Sequence, residues 1–560
     1  MITNIYKIFF LVILFLYQTS VLSKTTDEKD FNPKYLSNYL SAKISYSNQN
    51  NEDSVKYFNS SKSIINKHEG YLKEYVFALV LNGEIQKAIN QIKLNKDLAS
   101  SDFFEADLLL LIGNFKNKKF KKNLELLNNI KRFQNQSRYN YIIYETLYSY
   151  NDLFLNKILK INSNKNFGKL TIINNALQFC YLNKPETKSK FINLINSKEG
   201  DYSRYLFFYL NYIISNDEID SAIQISQTLD EIGNNLLISQ SKTWIKDSNY
   251  NKIKEIFSCQ RESDLISEFF FLISNFYLIN EDFEKSNFYL NLSNYLNPKF
   301  YFNLTHLVEN YLENENYNIA KSLLNKFDKK DLVYYWYKLK KIAQIISKEQ
   351  NSQQSLNYIE KKFNNYSDPS LKMLFDMGNI YKKNNEFKKS IKLYSLVLKK
   401  LDKSSDSYAE ILYRRGGSHE RVGDYLNSDK DLIKSLSMKP DDPYVMNYLA
   451  YGWLERNYKI DEAVVMLNKA YQKKKNDPYI IDSVGWGHYL IEDYVNAEKF
   501  LQKAIELMPK DPIVNDHYGD VLWKLNRKLQ AKYYWESAFN SGEANDELKE
   551  NILIKLLKGF

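Results

Sequence analysis

Five histidines come first, because imidazole can both ligate metals and move protons near neutral pH. His68, His306, His419, His488 and His517 stand singly, and none has a second donor at metal-ligand spacing. The glycine pattern of a nucleophile elbow is missing, and Gly485-Trp486-Gly487 is too short to cradle a phosphate. Acidic pairs such as Asp441-Asp442 sit beside prolines, where a carboxylate caps the following helix instead of transferring a proton. These residues point to a protein without catalytic residues, without a metal and without a cofactor. An activity that sequence does not reveal would require a cluster of ionisable groups in a deep pocket.

The elements that position these residues repeat. Ala463, Ala497 and Ala531 are each 34 residues apart, as are Ala470, Ala504 and Ala538, and so are Gly485 and Gly519. Between Pro478 and Pro509, a first helix carries Ile481, Val484, Gly485 and His488 at spacings of three and four. A polar turn, Glu492-Asp493-Tyr494, leads to a second helix with Ala497, Leu501 and Ala504 on one face. Small residues let neighbouring helices approach, and Pro509 stops the second helix.

The next unit reads Asn515, Tyr518, Gly519, Leu522, Ala531, Trp535 and Ala538. Earlier units read Leu374, Met377, Gly378, Tyr381, Phe387, Ser390 and Tyr394, then Gly416, His419, Gly423, Tyr425, Ser428, Leu432 and Pro440. The unit around Leu449, Ala450, Trp453, Ala463 and Ala470 has one extra residue in its turn. Across residues 367–542 the chain resembles the tetratricopeptide repeat (TPR) family, and an all-α solenoid of stacked antiparallel helix pairs is expected. His419 and His488 fall where the family pattern places a packing tyrosine.

Upstream the period persists more weakly. Tyr277, Phe283 and Ser286 recur 34 residues later as Tyr311, Tyr317 and Ala320, and Ser54 and Ala88 share that spacing. Ala222 suits another second helix, whereas residues 125–200 give no phase. The expected division is a signal segment at 1–23, divergent TPR-like repeats at 24–366, a TPR array at 367–542 and a capping helix at 543–560. That cap should present a polar outer face.

Residues 1–23 hold one charge, Lys7, before the apolar run Ile8 to Tyr17, with small-residue cleavage chemistry near Val21 and Ser23. A cleavable secretory signal is expected, an uncleaved anchor being the alternative and the one route to membrane association. Phe269 to Ile279 is too short to span a bilayer. Cys180 and Cys259 lie 79 residues apart, about two repeats along a stack, so two free buried thiols are expected. The formal charge of +10 is dispersed, which excludes the basic stripe of a nucleic-acid surface.

The resemblance implies that first-helix residues unused in stacking line a concave groove. In this chain they are Phe375, Asn379, Lys382 and Lys383, then Tyr413 and Arg421. In the last three units they are Asn447, Tyr451, Asp482, Trp486, Tyr489, Asp516, Asp520 and Trp523. Amides and carboxylates can bond an extended peptide while flat aromatics supply contact area. The expected function is a non-enzymatic scaffold or adaptor of the bacterial cell envelope, exported and periplasmic, that binds a neutral or basic peptide segment of a protein partner. The alternative is an envelope polysaccharide or peptidoglycan-binding module, since aromatic platforms beside Asp and Asn also suit sugars.

Overall fold

A computed structural model describes residues 32–159, 166–197 and 203–559. The expected signal segment lies outside them. The described residues form helices joined by short turns, with no strand among them. They divide into two units: residues up to 218 with 250–323, and residues 219–249 with 324 onward. The change in repeat quality expected at 366/367 therefore falls inside the second unit.

From residue 371 onward in that second unit, the 34-residue period becomes five antiparallel pairs and one further helix. The pairs are α1 (Leu371–Lys383) with α2 (Phe387–Lys400), α3 (Asp406–Arg421) with α4 (Tyr425–Met438), and α5 (Pro443–Glu455) with α6 (Ile460–Lys473). Next come α7 (Pro478–Leu490) with α8 (Tyr494–Leu507), α9 (Pro512–Lys524) with α10 (Lys528–Phe539), and then α11 (Asp546–Lys558). Local chemistry sets both ends of each pair. Asp442, Asp477 and Asp511 each accept two backbone N–H groups at the start of α5, α7 and α9, with proline following. Asp424 and Asp493 cap α4 and α8 through their side chains.

Every repeated alanine is sealed: Ala463, Ala470, Ala497, Ala504, Ala531 and Ala538 are all 0% exposed. The glycines explain how closely the pairs approach. A Cβ on Gly485 would stand 2.6 Å from Leu501 Cγ, and one on Gly519 would stand 2.5 Å from the Trp535 ring. Trp535 fills the last pair completely. The cap departs from expectation. Ile552 is buried, but the outward side of α11 presents Leu553, Ile554 and Leu557, which are 44%, 50% and 75% exposed.

The first unit keeps the repeat positions: Ser54, Ala88 and Ala320 are 0% exposed and Ser286 is 1% exposed. Its packing is nevertheless not that of a simple stack. Helix Tyr71–Leu81 packs against Phe283–Leu296, and Phe104–Lys116 against Glu262–Ile279, although each pair is far apart in sequence. Phe77 and Phe288 meet with ring centres 4.8 Å apart. This closure corrects the expectation of free thiols. Cys180 and Cys259 form a disulfide with Cα atoms 5.8 Å apart, because helix Glu262–Ile279 folds back onto Lys169–Tyr181. Sequence distance measures spatial distance only where each repeat touches its neighbours alone. No described helix is long and apolar enough to cross a membrane.

Candidate functional site

The first helices of successive pairs touch along one side, where three of the aromatic residues expected there meet. Trp486 of α7 stacks on His517 of α9, ring centres 4.1 Å apart and 11° from parallel, and on Tyr489 at 4.8 Å. Tyr451 of α5 reaches the same imidazole at 6.4 Å. Trp486 and Tyr451 are half-buried, so this cluster keeps part of its surface in solvent. Asn447 Oδ1 and Trp486 Nε1 are both buried polar atoms without a hydrogen-bond partner. One is an acceptor and the other a donor.

The carboxylates behave differently. Asp482, Asp516 and Asp520 are buried. His517 Nδ1 lies 3.0 Å from Asp482 Oδ1 and donates to that carboxylate. Lys555 of α11 donates to Asp516 Oδ1 at 2.8 Å and to Asp520 Oδ2 at 2.7 Å. Trp535 Nε1 donates to Asp520 Oδ1 at 2.9 Å. Burial alone would lower the His517 pKa, but the Asp482 charge and hydrogen bond, with Asp516 and Asp520 nearby, raise it above its ordinary value. Burial and then Asp516 raise the Asp520 pKa against the pull of Lys555.

The chain also matches the TPR repeat-containing protein PA4667 of Pseudomonas aeruginosa, at 32% identity over 110 residues, 20% of this chain and 18% of that protein. The chain carries tetratricopeptide repeats. The match spans under a fifth of the relative's length. No protein-family model matches the chain. Among solved structures, a tetratricopeptide repeat protein from Parabacteroides merdae aligns over 51% of this chain and 97% of its own, at 15% identity and TM-score 0.35. A thermophilic TPR protein of Thermus thermophilus aligns over 34% of this chain and all of its own, at 15% identity and TM-score 0.29. At such scores they add nothing to what the helix pairs show.

Within the TPR array, the expected groove residues fall into two groups. Tyr451, Trp486 and Tyr489 belong to the partly open aromatic cluster, and Asn447 stands four residues before Tyr451 on α5. Asp482 is the buried partner of His517 beneath it. Asp516 and Asp520 are consumed by Lys555, and a Cβ on Gly559 would meet the Trp523 ring at 2.5 Å, so α11 and its C-terminal turn cover the α9 positions. Trp523 also packs on Trp535, ring centres 5.3 Å apart.

The upstream candidates form a basic stretch. Burial first, then Arg414 and Arg421, lower the Lys382 pKa. Tyr413 and Tyr448 meet edge to face at 5.8 Å, and Tyr448 donates to Glu420 at 3.0 Å. Phe375 is buried against Tyr394 and carries no open surface. Sequence reasoning missed His517 and Lys555 as members of the site. The available signal was Asp516 and Asp520 at i, i+4 spacing beside a buried stack, a pair that needs a cation.

His488 and His419 keep structural roles. His488 stacks on Phe500 with ring centres 5.6 Å apart, and its Nδ1 lies 3.1 Å from Asp493. His419 Nδ1 lies 2.9 Å from Asp424. No group of three or more His, Cys, Asp or Glu among the described residues is placed to hold a metal.

Proposed function

We propose that this TPR stack, a protein–protein interaction scaffold, is a non-enzymatic adaptor of the bacterial envelope. It holds an extended peptide segment along its first helices, across Asn447, Tyr451, Trp486 and Tyr489. The observation that carries this reading is the aromatic cluster of Tyr451, Trp486 and Tyr489 on successive first helices, in which Tyr451 and Trp486 keep part of their surface in solvent. The Trp486–His517–Tyr489 stack supplies a rigid apolar platform for a side chain.

Export is part of the proposal. The Cys180–Cys259 disulfide supports it, because such bonds persist in oxidising compartments. The secretory reading of residues 1–23 agrees. Both support a periplasmic location, which is tested by fractionating cells and probing the redox state of the two cysteines.

The binding reading is tested by titrating an immobilised library of extended peptides with the purified protein. Trp486→Ala should weaken the selected peptide by about 30-fold, roughly 2 kcal/mol, in a protein that circular dichroism shows still folded at the assay temperature. Asn447→Ala should weaken it less. Unchanged peptide affinity in both variants sinks the peptide reading. Loss of retention on peptidoglycan sacculi by Trp486→Ala, with peptide binding intact, would favour the sugar module instead.

A further inference from the structure

We propose that α11 is a self-association surface, pairing antiparallel with α11 of a second copy about a two-fold axis. The stripe left outward by the fold runs Glu547, Glu550, Asn551, Ile554, Leu557, Lys558, a spacing of three and four along one helix face. All six are exposed, and Leu553 flanks them. The opposite side of the helix is already spent: Ile552 is buried and Lys555 is bound to Asp516 and Asp520.

Charge along the stripe selects the occupant. Its N-terminal half carries Asp546, Glu547 and Glu550 against one lysine, the part-buried Lys549, and its C-terminal end is basic, through Lys558. A helix with this order is complementary to itself run in the opposite direction. With the axis passing near Ile554, Glu550 faces Lys558 of the second copy, and the reverse pair forms by symmetry. Ile554 meets its own equivalent at the axis, and Leu557 lies over Asn551 of the second copy. Glu550 and Lys558 are eight residues apart, about 12 Å along the helix, so both ion pairs and the apolar centre fit one contact. A lipid surface would favour a basic rim throughout, which the three acidic residues oppose.

The test is analytical ultracentrifugation of the full chain over a concentration series. A monomer–dimer equilibrium is expected. Ile554→Asp should leave the thermal transition unchanged and raise the dimer dissociation constant by at least about a hundredfold. Glu550→Lys and Lys558→Glu should each raise it about tenfold, and the double exchange should restore it, since the two charges then trade places across the axis. A monomer at all concentrations overturns the proposal, as does a dimer indifferent to Ile554→Asp or an exchange that fails to restore association. Binding of the monomer to anionic vesicles through Ile554 would also overturn it, giving the face to a lipid surface. Peptide binding at Trp486 is measured separately, so the fate of either reading leaves the other standing.

Discussion

Lys555 ties α11 to the last pair. Its ammonium bonds both Asp516 and Asp520, side chains buried between α9 and α11. Lys555→Met keeps the stem and removes the charge. Two uncompensated buried carboxylates should cost roughly 3–5 kcal/mol, read as a lower urea midpoint with α11 released. The pH dependence follows from His517 and Asp520. A raised histidine pKa gives stability that is complete below its ordinary value and is lost as pH rises through the elevated one. A raised carboxylate pKa has the same sign, because the folded state favours the protonated acid, so stability falls as pH climbs from the ordinary carboxylate range through the elevated value. Both effects make the C-terminal pairs more stable in mildly acid solution than at pH above neutrality. Urea midpoints across that range should show the trend, and His517→Asn should remove the histidine part of it.

At the scale of the element, the close approach within each pair is set by glycine. Gly485→Ala places a methyl against Leu501, whose side chain is sealed, and overpacking of this kind costs about 1–3 kcal/mol. The same change at Gly452, where a Cβ meets nothing within 4 Å, should cost little or even stabilise α5 through helix propensity. Comparing the two thermal shifts separates packing from propensity. The caps were readable because their chemistry is local: Asp442, Asp477 and Asp511 bond atoms two and three residues away. The apolar outer face of α11 was not, because Leu548, Ile552, Ile554 and Leu557 look equivalent in an amphipathic pattern. Only the angle at which α11 meets α9 and α10 decides that Ile552 goes in and Ile554 stays out.

At the scale of the whole molecule, the disulfide is the main departure from a linear stack. It closes a loop of 79 residues, for which chain entropy gives about 4 kcal/mol of stabilisation. Reduction, or Cys180→Ser with Cys259→Ser, should lower the transition of the first unit by that order. The spectroscopic signal of Trp486 and Trp535, in the second unit, should report no matching loss. A shared shift would show that the two units melt together.

By itself the sequence determined the helix pairs, their 34-residue pitch and which face of each helix stacks. Those features come from contacts between neighbours in the chain, and a periodic pattern of small and apolar residues encodes them directly. It also placed Trp486, Tyr451 and Asn447 at first-helix positions, which stay part-exposed in the fold. Only the tertiary structure decided what Asp482, Asp516 and Asp520 do, since their partners His517 and Lys555 lie 35 to 39 residues away on other helices. It alone brought Cys180 to Cys259, across 79 residues. Charge pairing and chain closure over such distances depend on how helices cross in space, and residue type and spacing hold no record of that.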